Sequence, residues 1–249
     1  MDRTGLQAPF WLDHDDTSWF PDVELAMPEP NGLLAVGGDL STPRLLAAYR
    51  SGIFPWYSQG QPIMWWSPSP RAVLYPTEIT VSRSLRKTIR NKRYDIKVDC
   101  AFKPVIQYCA SSRRDGLGTW ITREMMNAYI QLHNLGFAHS IEIWQDDQLV
   151  GGLYGIAIGR IFFGESMFSR MRDASKIALV ALARHLDRFH FPFIDCQVES
   201  DHLKTLGARN IPRKTFVRQL NRYCTDKGKI DHAAIWNNFI SRDELITNL

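Results

Sequence analysis

The sequence lacks most devices by which enzymes hold nucleotides and metals. It has no GxxxxGK[ST] loop, so ATP binding through that cradle is not expected. GGLYGIAIG, residues 151–159, is rich in glycine but is not spaced GxGxxG and opens no helix. A twisted β-hairpin with close backbone approach explains it. GESMF is not GxSxG, which makes Ser166 a poor hydrolase nucleophile. No HExxH and no paired aspartates offer a metal site. Cys100, Cys109, Cys196 and Cys224 include no CxxC pair, so reduced thiols in a reducing compartment are expected. The start of the sequence has no apolar signal region, and IALVALA, an apolar run inside a helical pattern, is far too short to span a bilayer. These absences lead to the expectation of a soluble cytoplasmic protein that uses no metal and no cofactor. Any bond it makes then draws its energy from a substrate already activated.

What is there suits a globular protein. Of 249 residues, 45% are hydrophobic and 22% charged, enough for one large domain or a large and a small one. The net charge of +4 permits nucleic-acid binding only if the bases cluster. Residues 17–40 read as irregular chain. STPRLLAAYRSG predicts a helix capped by Thr42 and ended by Gly52. The stretch 53–71 reads as a stiff aromatic, proline-rich loop, and a domain boundary is expected near 70. Beyond it come a strand at RAVLYP, helices at 82–93, 101–112 and 121–136, and hairpin strands through 138–168. A helix capped by Asp173, a strand at FPFIDCQV, a short helix and a final amphipathic helix at RKTFVRQLNRYC complete the pattern. Hairpins followed by a strand–helix–strand unit indicate an α+β fold with a mixed sheet, divided into 1–70 and 71–249.

Two polar intrusions interrupt apolar strands. In FPFIDCQV, alternation puts Phe193, Asp195 and Gln197 on one face. A carboxylate and a carboxamide there are either a satisfied structural network, or Asp195 orients Gln197 toward a substrate. In GRIFFGESMFSR, Glu165 could accept from an amine or cation, or could bond a nearby turn. Both flank one helix and so come close together. Trp56 and Trp120 could stack on a nucleobase or fill a small core. SRSLRKTIRNKR carries Arg83, Arg86, Lys87 and Arg90 along one helical side, with no acid in the run. That fits a phosphate track or a solvated face.

Longer stretches carry a resemblance. EPNGLLAVGGDLSTPRLLAAYRSGIFPWYSQGQPIMWWSPSPRAVL, TWIT, LGFAHSIEIW, LVGGLYGIAIGRIFFGESMFSR, DASKIALVAL and IDCQVESDHLKTLGA together resemble the bacterial leucyl/phenylalanyl-tRNA–protein transferases over roughly residues 20–220. The resemblance implies a small N-terminal domain before a GNAT-like domain. It implies transfer of Leu or Phe, and Met less well, from aminoacyl-tRNA to proteins beginning with Arg or Lys, marking them for degradation. The aminoacyl ester would be the activated donor. By motif position Gln197 would accept from the attacking amine, Asp195 would orient Gln197, and Glu165 would bind the acceptor's amine or basic side chain. Leu153, Phe162, Leu179, Leu182, Leu186 and Ile194 would line the donor pocket. Trp56 and Trp120, with Tyr129 as companion, would hold the terminal adenosine, and the basic helix would meet the tRNA phosphates. A monomer without membrane contact is expected. A transferase with another acceptor, or a tRNA-binding module without activity, fits the same residues less fully.

Overall fold

The computed structural model describes residues 8–111, 121–225 and 231–249. Two sheets organise them. The smaller has four strands: β1 (Phe10–Leu12), β2 (Leu33–Gly37), β3 (Phe54–Pro55) and β4 (Met64–Trp66), in the order β1-β2-β4-β3. Thus 17–40 is not wholly irregular, since Leu33, Leu34 and Ala35 supply a buried strand core. Nor is 53–71 a loop throughout: β3 and β4 pair antiparallel, Phe54 opposite Trp66 and Pro55 opposite Trp65. Trp65 is fully buried while its neighbour Trp66 is partly exposed, as side-chain alternation requires.

Helix α1 (Thr42–Arg50) lies between β2 and β3. Its cap position is Ser41 rather than Thr42, with proline in the first turn. Leu45, Leu46, Ala48 and Tyr49 form its buried side.

The larger sheet takes β5 (Arg71–Leu74), and then, after α2 (Arg83–Asn91), β6 (Asp95–Val98). Helices α3 (Phe102–Ser111) and α4 (Arg123–Asn134) precede a meander of β7 (Ala138–Gln145), β8 (Gln148–Ile158) and β9 (Ile161–Ser169). The turn between β7 and β8 is Asp146–Asp147, both at positive φ, the backbone a two-residue hairpin with native twist demands. Helix α5 (Ala174–Arg188) then leads to β10 (Phe193–Gln197), α6 (Asp201–Lys204), β11 (Arg209–Ile211) and α7 (Arg213–Tyr223). Helices α8 (His232–Asn237) and α9 (Arg242–Thr247) follow, so α7 is not the last helix.

The order of the seven strands is β11-β5-β10-β9-β8-β7-β6. Only β9 and β10 run parallel, because α5 carries the chain across between them. The fold is therefore α+β with a mixed sheet. One face packs on α1, α3, α4 and α7 through Tyr49, Val105, Ile106, Tyr129 and Phe216. The other packs on α2, α5, α8 and α9 through Leu85, Ile89, Leu182, Trp236 and Leu245. Each such large apolar side chain contributes about 1.5–3 kcal/mol when buried. Asp173 stands at the cap of α5 but in a left-handed conformation, and its side chain makes no cap bond. It accepts instead from Thr88 of α2 at 3.2 Å, tying the two helices together.

Candidate active site

The parallel pair β9 and β10 is joined at three positions only, ending at Asp195 opposite Phe163. Beyond that point β9 continues beside β8, while the chain after β10 turns away. A cleft of about 480 Å³ fills the divergence. Past Glu165, Cys196, Gln197 and Ser200 it continues into a recess of about 250 Å³ closed by Phe54, Pro55 and Trp56.

Irregularities in both strands aim the polar residues into this opening. In β9 the pairing with β8 passes from Gly164 to Ser166 and skips Glu165. In β10 the pairing with β5 passes from Asp195 to Gln197 and skips Cys196, and Gln197 has φ of 61°. An extra residue of this kind re-aims a side chain and is frequent beside active sites. Strict alternation of Phe193, Asp195 and Gln197 on one face therefore fails after Asp195.

Glu165 is the hub. Its Oε1 accepts from Tyr49 Oη at 2.7 Å and from Gln197 Nε2 at 2.7 Å, and its Oε2 accepts from Tyr129 Oη at 2.9 Å. The nitrogen of the Gln197 amide must face the carboxylate, since its oxygen would be repelled, so Gln197 Oε1 is left to face the cleft. The two phenol oxygens are also 2.6 Å apart. Three short O···O contacts need three protons to be three hydrogen bonds, and two phenols supply two. With Glu165 ionised both phenols donate to it; a proton on Glu165 supplies the third bond, and one phenol then donates to the other. Burial pushes the Glu165 carboxyl up to about 7; the Tyr49 and Tyr129 bonds oppose this and the Asp195 charge adds to it. The group thus titrates near neutrality.

Asp195 does not touch the Gln197 carboxamide. Its Oδ1 accepts from the Gln197 backbone N–H at 2.9 Å, which holds the left-handed residue in place. Both its oxygens are held by Arg71, Nε at 2.8 Å and Nη2 at 2.6 Å. Arg71 is fully buried, lies over the Phe54 and Phe216 rings at 4.8 and 4.6 Å, and donates to the Gly52 carbonyl. The expected orientation of Gln197 by Asp195 therefore runs through the backbone.

Leu153, Phe162, Leu179, Leu182 and Ile194 are brought together on one wall of the cleft. Leu186 is buried in the same apolar cluster, one turn beyond Leu182, and lies behind that wall rather than on it. Trp56 is exposed beside Gln197, its ring 5.8 Å from that of Trp66. Tyr129 requires correction: it is fully buried with its hydroxyl on Glu165, which leaves no ring face for a nucleobase. Trp120 lies outside the described residues. Arg83, Lys87 and Arg90 are exposed on α2 and Arg86 is half-buried, and none pairs with a carboxylate among the described residues.

Sequence reasoning missed Tyr49, Arg71 and Tyr154. An arginine opening the otherwise apolar strand RAVL was the available signal for Arg71, because a buried guanidinium demands a carboxylate. Tyr49 and Tyr154 sit among apolar neighbours, where a phenol and a plain core ring look alike.

Comparison with known proteins agrees over most of the chain. The family model for leucyl/phenylalanyl-tRNA protein transferase matches residues 73–221, and that for the N-terminal domain of the same transferase matches 38–69. The leucyl/phenylalanyl-tRNA–protein transferase of Nitrosospira multiformis is 58% identical over 210 residues, covering 84% of this chain and 90% of its own. That of Stutzerimonas stutzeri is 58% identical over 210 residues, covering 84% and 92%. A solved structure of a functionally unknown conserved protein from Staphylococcus epidermidis covers 72% of this chain and 68% of its own at 10% identity, with a TM-score of 0.38, a likeness too loose to bear on the fold. Matched by both family models and by relatives along nearly their whole length, the chain belongs to the leucyl/phenylalanyl-tRNA–protein transferase family.

Proposed function

We propose that the chain transfers leucine or phenylalanine, and methionine less well, from aminoacyl-tRNA to the N-terminal Arg or Lys of acceptor proteins, marking them for degradation. It acts in the cytoplasm as a monomer; no described helix is long and apolar enough to cross a membrane. The reading divides it into a small unit, 1–70, and a GNAT-like unit, 71–249. The observation that carries the reading is the bond from Gln197 Nε2 to Glu165 Oε1, 2.7 Å, at the mouth of an apolar cleft.

The donor side chain fills the wall made by Leu153, Phe162, Leu179, Leu182 and Ile194, with Leu186 setting its depth from behind. Trp56 stacks on the terminal adenosine, with Trp120 as its partner. Arg83, Arg86, Lys87 and Arg90 meet backbone phosphates of the tRNA. The acceptor's α-amine, with an ordinary pKa of about 7.7–8.0, must lose a proton. Gln197 Oε1 accepts one of its N–H groups and fixes its approach to the ester carbonyl. Such positioning supplies several kcal/mol of barrier reduction, on the order of 7–11 kcal/mol in the best cases. Glu165 binds the acceptor's amine or its basic side chain. The C–N bond forms, the ester C–O bond breaks, and the departing ribose oxygen takes up the proton that the attacking nitrogen gives up.

Transfer of labelled Phe from Phe-tRNA to a peptide with N-terminal Arg, beside one with N-terminal Gly, tests the reaction. Transfer to the Arg peptide alone is expected; transfer to neither would overturn it. Gln197→Ala is expected to lower turnover about tenfold to a hundredfold without weakening tRNA binding, and undiminished turnover would remove Gln197 from the mechanism.

A further inference from the structure

We infer that Trp236 of α8, a helix beyond the part of the chain matched by the family model, braces Phe162 from behind and so sets the depth of the donor's side-chain pocket, which decides between leucine and phenylalanine. The inference rests on the transfer reaction proposed above.

Leu153, Phe162, Leu179, Leu182 and Ile194 form the apolar wall of the cleft beneath α5, and Phe162 is its one aromatic ring. That ring leans from β9 across β8, where a Cβ on Gly155 would meet it at 2.5 Å. On β7, directly opposite Gly155, stands His139. Trp236 rests on both neighbours. It stacks on the His139 ring at 3.9 Å with 14° between the planes, and its ring centre lies 6.0 Å from that of Phe162. Trp236, His139 and Phe162 are all buried. Neither Trp236 nor His139 lines the cleft, whereas Phe162 does, so the pair stands behind the wall and reaches the pocket through that ring.

The brace is itself held. His139 Nδ1 donates to Asp99 Oδ2 at 2.7 Å, and Asp99 Oδ1 accepts from the Ser140 backbone N–H at 2.8 Å, which fixes the imidazole that Trp236 lies on. Helix α8 is tied to α5 one residue before Trp236, where His185 and the Ile235 carbonyl are 2.8 Å apart. A carbonyl only accepts, so His185 Nε2 carries the proton and donates. Burial holds His185 down to about 4, which keeps that ring neutral near neutral pH. Arg188 and Glu244, 3.1 Å apart, tie α9 to the same helix. Helix α5 in turn supplies Leu179 and Leu182 to the wall. Interiors are packed as densely as organic crystals, so a ring held from behind cannot retreat when a larger side chain presses on it. Leucine and phenylalanine differ in length, and the depth of the pocket is what tells them apart. A difference of one methylene in such a pocket changes kcat/KM by about 10- to 200-fold. With Trp236 cut back, Phe162 gains room to withdraw toward His139, the pocket deepens, and the shorter leucine loses contact.

Trp236→Ala and Trp236→Phe test the assignment in the full chain. Transfer to an N-terminal Arg peptide is measured with Leu-tRNA and with Phe-tRNA, each varied in turn, beside thermal unfolding of the free protein. In Trp236→Ala the ratio of kcat/KM for Phe-tRNA to that for Leu-tRNA is expected to rise about tenfold, equivalent to about 1.4 kcal/mol, with the KM for the peptide unchanged. Trp236→Phe, which keeps a ring behind Phe162, is expected to return the ratio most of the way to wild type. A residue that only holds the fold together would lower Tm and reduce both donors alike; a ratio within about twofold of wild type therefore overturns the assignment, and so does a shift toward leucine. Should Trp236→Ala yield no folded protein, Trp236→Leu is read by the same ratio. If wild-type protein transfers neither donor to the peptide, the reaction itself falls and the assignment with it. If it transfers both and the variants keep its ratio, only the role of Trp236 falls.

Discussion

Glu165 carries a pH dependence that follows from its surroundings. Its carboxyl is raised from 4.5 to about 7, chiefly by burial. Below 4.5 folded and unfolded states are both protonated there. Between 4.5 and about 7 the unfolded state gives up the proton and the folded state keeps it, so stability falls as pH rises, and above about 7 the loss is complete. Its size is on the order of 3 kcal/mol at about 1.4 kcal/mol per pH unit. Denaturant titrations should show this fall in wild type and its absence in Glu165→Gln. The same variant should lose the lower ascending inflection, near 7, in kcat/KM for the acceptor, since that quantity reports groups of the free enzyme. At this scale the sequence was partly legible. Asp195, Gln197 and Glu165 stood out because polar residues break apolar strands. Arg71 and Tyr49 did not, because their partners lie 124 and 116 residues away and nothing local announces them.

Elements set what those residues face. The pairing of β8 with β9 slips between Tyr154 and Gly155, which is what aims Glu165 inward. A Cβ on Gly155 would sit 2.2 Å from the Phe163 carbonyl and 2.5 Å from the Phe162 ring, whereas one on Gly164 would make ordinary contact at 3.4 Å. Gly155→Ala should therefore cost about 1–3 kcal/mol in urea unfolding and lower activity with it, while Gly164→Ala should leave stability nearly unchanged. Helix α2 makes a different prediction. Leu85 and Ile89 anchor it, leaving its bases toward solvent. The double variant Arg86→Glu, Arg90→Glu should keep its Tm and bind tRNA more weakly, with the log–log salt slope reduced by about one for each phosphate no longer neutralised. Filter binding over a salt series checks this; an unchanged slope returns the helix to a solvated face. Helices α2, α3, α4 and α5 were legible from their 3.6-residue period and turn residues. Strands β1, β6 and β11 are short or polar on one side, β2 is masked by the proline, asparagine and glycine just before it, and α8 and α9 lack a long apolar stripe, so local pattern did not mark them.

The whole molecule converges on its site. Tyr49 and Trp56 come from the part of the chain that builds the four-stranded sheet, and Glu165 and Gln197 from the seven-stranded one. Arg71, at the first residue of β5, joins them: it grips Asp195, donates to Gly52, and lies between Phe54 and Phe216. Arg71→Met leaves Asp195 buried without its partner, which should destabilise by about 3–5 kcal/mol, and adding Asp195→Asn should restore part of that. Chemical denaturation of the two variants checks the recovery; no recovery would mean that Arg71 acts through its stacking alone. The general α+β order was readable because strand and helix periods differ, while the meeting of distant segments was not. That distance also fixes when the site comes into being. A ribosome makes Tyr49, Trp56 and Arg71 early and Gln197 late, with 124 residues separating Arg71 from Asp195. Until β10 has emerged, a growing chain surrounded by charged tRNA holds no assembled centre, however much of the rest has already folded.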